Sequence, residues 1–313
     1  MKVLFADSVH ERMMSLLSGD GWECDLQYDI TPEEAYDLIP NYEGLVIRSK
    51  FPVNREFIDR AGNLKWIARY GSGMENIDVA YAEEKGIRCF SAPEGNRDAV
   101  GDHALGLMLS LTKNISRSWD EVRAGKWERE ANRGIELDEK TVAIIGYGNT
   151  GSALARRLRG FTTEVMVFDP YLPMIEEGMV RSVSMDEIFA QADILSLHVP
   201  LSDETRGLVN AAYLDRFIKN IYLINTSRGA VVNTSDLADA MKKGKVIGAG
   251  LDVLEYEKSS FEKLSTDAIP GPLQYLIDNP NAIITPHIAG WSYESYEKLA
   301  VFLAEKIRSV GRS

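Results

Sequence analysis

The sequence predicts an α/β protein built from two doubly wound parallel sheets, and three observations carry that expectation. Short apolar runs alternate with helical stretches almost from end to end, the rhythm of parallel strands covered on both faces by crossover helices. The rhythm breaks once, at 97–125, where two helical stretches follow each other without a strand. The length, 313 residues, suits two domains.

Taken in order, the first segment offers strands at 2–7 (KVLFAD), 23–29, 44–49 (GLVIRS), 65–71 (KWIARYG) and 87–92. Helices fit between them. The clearest begins at Thr31-Pro32-Glu33-Glu34, where Thr31 caps, Pro32 suits the first helical position and Glu34 completes a capping box. The stretch 97–125 reads as a connector and an oligomer contact. Its apolar stripe of Leu105, Leu109 and Thr112 is ordinary helix patterning. Alternation resumes with strands at 141–145, 164–169, 193–199, 221–226, 247–253 and 282–286. Residues 255–280 form a long polar connection with Pro270 and Pro272, a length that often marks function. The tail, 292–309, reads as one amphipathic helix.

Composition excludes several classes. Hydrophobic residues make up 45% and charged residues 26%, the mix of a soluble globular protein. No apolar run spans a membrane, and the start, MKVLFADSVHE, turns acidic too soon for a signal peptide. The net charge of −12, from 35 basic and 47 acidic residues, suits neither nucleic acid nor an anionic membrane. An anion site must therefore be a local basic cluster. Cys24 and Cys89 are expected as buried, reduced thiols of a cytoplasmic protein. No metal is expected.

The most specific local signal is TVAIIGYGNTGSALARRLRGF. A β-branched strand runs into Gly146-Tyr147-Gly148-Asn149-Thr150-Gly151, and a helical segment follows. Gly146 permits a tight turn, Gly148 lets the backbone approach a pyrophosphate, and Gly151 lets helix and strand pack closely. The helix N-terminus supplies N–H groups to phosphates. A second strand, EVMVFD, ends in Asp169, 18 residues beyond Gly151 and near the spacing for an acid on the adenosine ribose. That carboxylate would repel the extra phosphate of NADP. The expectation is a Rossmann domain that binds NAD in preference to NADP.

Three reactive groups stand at or beyond strand ends: Arg228 after YLINTS, Glu257 after GLDVLEY, and His287 after AIITP. Ligands of open α/β sheets collect there. Oxidising an alcohol removes a hydride, which a nicotinamide accepts, and a proton, which needs a base of near-neutral pKa such as histidine. A carboxylate beside the ring fixes its tautomer. An arginine grips a substrate carboxylate in two-pronged fashion. The other histidines, His10, His103 and His198, are read as surface, helix-packing and cofactor-wall positions.

NTSRGAVV, GAGLDVLEYE and TPHIAG, in this order behind the glycine loop, resemble the D-isomer-specific 2-hydroxyacid dehydrogenase family, over essentially the whole chain. The spacings also fit, 29 residues from Arg228 to Glu257 and 30 more to His287. The resemblance implies that His287 is the acid/base, Glu257 its partner and Arg228 the group on the substrate carboxylate and carbonyl. It places Asp252 near the nicotinamide, and adds Thr226, Ser227, His198, Pro200 and Gly290 to the cofactor residues. It implies a smaller flavodoxin-like substrate domain from 1–96 plus 288–313, and an NAD-binding domain at 97–287 with a dimerisation arm at about 97–130. ARYGSGMENID resembles the family's substrate loop, with Ser72 and Gly73 offering N–H groups to the substrate carboxylate. The family usually has proline where Lys258 stands.

Arg48, Lys50, Arg69 and Arg129 resemble basic positions of D-3-phosphoglycerate dehydrogenases, as do PEGNRDAVGDHALGLML and GKWERE. HIAGWSYES departs from them, with bulky Trp291 and Tyr293 where small residues are usual. The chain ends without the regulatory domain of serine-controlled members, so feedback through it is not expected. The implied activity is NAD-dependent interconversion of a D-2-hydroxy acid and a 2-keto acid by a homodimer. The alternatives are glyoxylate or hydroxypyruvate reduction and, in a different class, an NAD-responsive corepressor. A formate dehydrogenase is disfavoured, because that relative usually carries an amide where Glu257 stands.

Overall fold

The computed structural model describes residues 1–257 and 268–309. They divide into two compact units, one of Met1–Arg97 with 291–309, the other of 98–257 with 268–290. Lys258 and part of the long polar connection lie outside the described residues.

The first unit holds a five-stranded parallel sheet: β1 (Lys2–Phe5), β2 (Glu23–Leu26), β3 (Gly44–Ile47), β4 (Trp66–Arg69) and β5 (Arg88–Phe90), in the order β2-β1-β3-β4-β5. This is the flavodoxin-like doubly wound order. Strand β3 is buried along its whole length, as a central parallel strand with helices on both faces should be. One face packs Leu4, Leu45 and Ile67 against Ala35, Phe57 and Ala82 of the intervening helices. The other packs Val3, Phe5 and Trp66 against Met13 and Leu17, and against Leu299, Leu303 and Ile307 of the helix Tyr293–Arg308. The tail thus belongs to the first unit because its apolar stripe completes that unit's core. The capping box at Thr31 and Glu34 is present. Both cysteines are free, and burial pushes the Cys89 thiol up to about 11.

The second unit holds eight strands: β6 (Thr141–Ile145), β7 (Glu164–Phe168), β8 (Glu176–Glu177), β9 (Val180–Ser182), β10 (Ile194–Leu197), β11 (Ile221–Asn225), β12 (Val246–Leu251) and β13 (Ala282–Ile284). Their order is β13-β12-β11-β10-β6-β7-β9-β8, parallel except for the short β8–β9 hairpin. The strand order reverses between β6 and β10, the switch point where doubly wound sheets bind ligands. The hairpin at 176–182 corrects the sequence reading, which has no strand between 169 and 193. Glutamate is a poor strand former, and β9 is only three residues long, so no periodic signal survives there. The connector is the two helices Pro93–Thr112 and Ile115–Arg123. Among the described residues no helix is long and apolar enough to cross a membrane.

Candidate active site

All parts of the second unit's site stand at the carboxyl ends of parallel strands. Strand β6 runs straight into Gly146, whose φ of +86° is left-handed backbone that favours glycine. A Cβ there would come within 2.7 Å of the His198 carbonyl oxygen, because β10 ends alongside. A Cβ on Gly151 would strike the Gly146 carbonyl and come within 3.1 Å of Ile144. Packing therefore demands both glycines. Gly148 differs, since a Cβ there meets no protein atom within 4 Å. The space beside Gly148 is open, so a pyrophosphate can approach the bare backbone there. Gly148 also caps the helix Asn149–Leu158 with no side-chain hydrogen bond, so the first N–H groups keep their pull on an anion.

Asp169 follows β7. Its Oδ2 accepts the Tyr147 N–H at 2.9 Å and its Oδ1 accepts the Tyr171 N–H at 3.0 Å. The acid ties the glycine loop to the next strand end and keeps lone pairs on both oxygens for hydroxyl donors. His198 forms a wall beside it. The ring is buried, with Nδ1 3.1 Å from the Thr150 hydroxyl and Nε2 2.9 Å from the Ser196 hydroxyl. Burial pushes its pKa down to about 3, so the ring is neutral near pH 7. Thr226 adds a buried hydroxyl that no group among the described residues satisfies. A buried orphan of this kind costs stability unless a ligand pairs with it. The bare glycine and the orphan hydroxyl both fit a dinucleotide cofactor.

The reactive residues converge from three neighbouring strands. Beyond β11, Asn225 Oδ1 accepts the N–H of Ser227 at 3.1 Å and its hydroxyl at 2.8 Å, and Asn225 Nδ2 donates to the Arg228 carbonyl at 3.0 Å. That amide fixes the turn from which Arg228 projects, and Arg228 Nη1 donates to the Ser227 carbonyl at 2.7 Å. A Cβ on Gly229 would run into the Leu254 carbonyl and come within 2.5 Å of the Glu255 nitrogen. Glycine at 229 thus lets the Arg228 loop lie directly against the loop that follows β12. That second loop ends in Glu257, whose Oε1 accepts the Leu254 N–H at 2.5 Å and whose Oε2 lies 2.6 Å from His287 Nδ1.

His287 follows β13 with a φ of +56°, uncommon for a residue with a side chain. Its N–H donates to the Asp252 carbonyl at 2.8 Å, and the Asp252 carboxylate accepts the N–H groups of Ile288 at 2.9 Å and Ala289 at 2.8 Å. With Nδ1 committed to Glu257, any proton exchanged with a substrate passes through Nε2. Glu257 and His287 are only partly shielded, their side chains 14% and 24% exposed, so a small molecule can reach the pair. Pro200 is exposed, its carbonyl accepting the Thr205 hydroxyl at 2.6 Å, and Gly290 ends the His287 loop. Asn225 is the residue that sequence reasoning misses. A polar side chain closing an otherwise apolar strand, YLIN, is the signal that could have found it.

The predicted substrate residues fall mostly in the first unit. Asp7 Oδ2 accepts the N–H groups of Arg48, Ser49 and Lys50 at 2.6, 3.2 and 3.3 Å, capping the loop after β3. Lys50 Nζ donates to the carbonyls of Ala6 and Tyr28, and the Arg48 guanidinium stacks 4.5 Å from the Trp291 ring centre. Arg69 folds over Gly71. Ser72 donates its hydroxyl to Asn96 Oδ1 at 2.6 Å, with Gly73 next in the same loop. Arg129 belongs to the second unit and is exposed in the loop after the helix Ile115–Arg123.

Comparison with known proteins follows the same lines. The family model described as "D-isomer specific 2-hydroxyacid dehydrogenase, NAD binding domain" matches residues 105–289. The D-3-phosphoglycerate dehydrogenase of Archaeoglobus fulgidus is 34% identical over the whole chain, which spans 58% of that relative's length. The hydroxypyruvate reductase of Thermotoga maritima is 36% identical over 88% of this chain and 87% of its own. The crystal structure of the D-lactate dehydrogenase of Aquifex aeolicus, complexed with NAD and lactic acid, is 26% identical. It superimposes with a TM-score of 0.82 over 98% of this chain and 94% of its own.

Proposed function

The chain belongs to the D-isomer-specific 2-hydroxyacid dehydrogenase family, and we propose that it is an NAD-dependent oxidoreductase interconverting a D-2-hydroxy acid and a 2-keto acid. The observation that carries this is the 2.6 Å contact between Glu257 Oε2 and His287 Nδ1 beside the Arg228 loop. NAD, held by Gly146, Gly148, Asn149, Thr150, Gly151 and Asp169 and flanked by His198, Pro200, Thr226, Ser227, Asp252 and Gly290, supplies the hydride acceptor. In the oxidative direction His287 Nε2 takes the hydroxyl proton. Glu257 accepts from Nδ1, holds the ring in the tautomer with Nε2 ready, and stabilises the imidazolium that forms. In the reductive direction the same ring returns the proton. Arg228 binds the substrate carboxylate and carbonyl and counters charge developing on oxygen.

The second unit is assigned to NAD binding and the first to substrate binding, through Arg48, Lys50, Arg69 and the loop of Ser72 and Gly73. Two of the candidate phosphate-binding cations have other tasks: Lys50 on main-chain carbonyls and Arg48 against Trp291. These contacts favour an unphosphorylated acid, such as hydroxypyruvate, over a phosphorylated one. The test is NADH oxidation with hydroxypyruvate, glyoxylate, pyruvate and 2-ketoglutarate, beside NAD⁺ reduction with D-3-phosphoglycerate and a product trap. A clear preference for phosphoglycerate reverses the substrate assignment. No turnover on any of them, with NADH still bound, overturns the enzymatic reading.

A homodimer through the arm at 97–130, in the cytoplasm, completes the proposal. Its support is that the helix Ile115–Arg123 buries no residue, while Trp119 and Trp127 are 60% and 79% exposed. Exposed tryptophans are enriched at association sites.

A further inference from the structure

We propose that His103, on the connector helix Pro93–Thr112, is a positioning residue that sets the His287 loop through Thr285 and Asp252. Its Nε2 lies 3.0 Å from the Thr285 hydroxyl and 3.5 Å from Asp252 Oδ1. Thr285 donates its hydroxyl proton to Asp252 Oδ1 at 2.6 Å. A carboxylate only accepts, and a hydroxyl has one proton, so the Thr285 oxygen must accept its second bond from His103. The tautomer of His103 is thereby fixed, with the proton on Nε2. The side chain is a donor aimed at a buried carboxylate, which helix packing alone does not ask for.

The carboxylate has a defined load. Asp252 is 1% exposed, and it takes the N–H groups of Ile288 and Ala289 on its two carboxylate oxygens while its carbonyl takes that of His287. Three consecutive amides of the catalytic loop therefore hang on one residue. They hold His287 in the left-handed conformation at φ +56°, which residues with a side chain rarely adopt unless their surroundings impose it. Thr285 and His103 complete the coordination of that anchor from the other side. Remove the His103 donor and the Thr285 hydroxyl loses one of its two bonds, the Asp252 carboxylate loses an N–H group 3.5 Å away, and the loop gains freedom where the ring must meet substrate. The effect falls on turnover more than on NADH binding, because the described bonds of His103 run to the base of the His287 loop and not to the glycine loop.

This inference rests on the reading of His287 as the acid/base, and the test separates the two. His103→Leu and His103→Gln are compared with the unaltered protein for kcat, KM for the keto acid, NADH affinity by fluorescence, and amide hydrogen exchange across 285–290. The Leu variant loses roughly tenfold or more in kcat with NADH affinity within twofold, and exchange at 287–289 quickens. The Gln variant, which keeps an N–H donor, recovers most of both. Thr285→Val reproduces the Leu variant, and stands in for it if that protein does not fold. A folded Leu variant with unchanged kcat and unchanged exchange at 287–289 overturns the proposal, as does equal loss in the Leu and Gln variants. If the unaltered protein turns over no acid, the enzymatic reading fails, and the exchange arm alone decides whether His103 sets the loop.

Discussion

Gly229→Ala offers a sharp test of how the two loops that carry the proposed catalytic residues Arg228 and Glu257 are held together. The added Cβ would overlap the Leu254 carbonyl and stand 2.5 Å from the Glu255 nitrogen, whereas ordinary contact begins near 3.5 Å. The backbone at 228–229 or at 254–255 must therefore retreat by about 1.5 Å. The neighbours are main chain on both sides, so no flexible side chain can absorb the clash. Arg228 adjoins one side and Glu257 closes the other through its bond to the Leu254 N–H. A misplacement of about 1 Å costs on the order of a hundredfold in rate, about 2.7 kcal/mol of barrier. The overpacking itself costs about 1–3 kcal/mol of stability. The assay is kcat/KM for the best keto acid, with NADH affinity and the urea midpoint measured beside it. NADH affinity falls less than kcat/KM does, because the glycine loop is built on β6 and β7 and only the flanking Thr226 and Ser227 adjoin the displaced turn. A folded Gly229→Ala protein with kcat/KM within threefold of the unaltered one refutes the claim that close approach at Gly229 positions the constellation.

Other outcomes follow from the same geometry. His287→Ala should lower turnover by roughly two to four orders of magnitude while leaving NADH binding intact, and near-normal turnover would end the acid/base assignment. Asp169→Ser should narrow the preference for NAD over NADP measured by fluorescence titration, and equal affinity of the unaltered protein for both dinucleotides would sink the assignment of that carboxylate. His198 ties stability to pH. Its folded pKa of about 3 lies below the unfolded 6.5, so the unfolded chain binds the proton first and stability falls as pH drops from 6.5 towards 3. By pH 5 this one group removes about 2 kcal/mol. Urea midpoints of His198→Gln should therefore fall less between pH 7 and 5, and parallel curves would contradict the neutral buried ring. In sedimentation at micromolar concentration the protein should run as a dimer that Trp119→Glu dissociates; a monomeric unaltered protein would remove the arm's proposed role.

The legible parts of this fold are those where a local pattern has a single physical solution. Strands such as TVAII and YLIN are too apolar and too β-branched for an exposed segment, and the turns between them leave helices as the only crossovers long enough. Thr31 and Glu34 show a helix start directly, since a capping box needs only residues three apart. Strand order is the step that patterning does not reach. That β6 pairs with both β7 and β10, putting Gly146 beside His198, is a long-range choice made by core packing. The hairpin at 176–182 is illegible for the opposite reason: its residues have little intrinsic preference, and pairing with β7 supplies the order. At the site, residue types at strand ends can be read from the sequence, but the atom-level bonds cannot. Nothing in IITPHIAG shows that Asp252 receives successive amides of that loop.

His287 shows why that gap matters. The reading from sequence explains the residue type by the proton that must move, yet chemistry alone places no demand on the backbone. The left-handed φ is the cost of turning the ring back from the mouth of β13 towards Glu257, on the loop after the neighbouring strand β12. Asparagine and glycine adopt that conformation more readily than histidine does, so a chain selected for stability alone would not keep histidine there. The structure offsets the strain with Asp252, which is itself buried and held by Thr285 and His103. A sequence pattern that lists His287, Glu257 and Arg228 thus names the groups proposed to move protons and bind charge. It omits the residues that make a disfavoured backbone the stable one, and those are spread over strand ends and the connector helix at separations of 33 and 182 residues. Local strain at a reactive side chain, traced to the partner that relieves it, is how the structure extends the site beyond its motif.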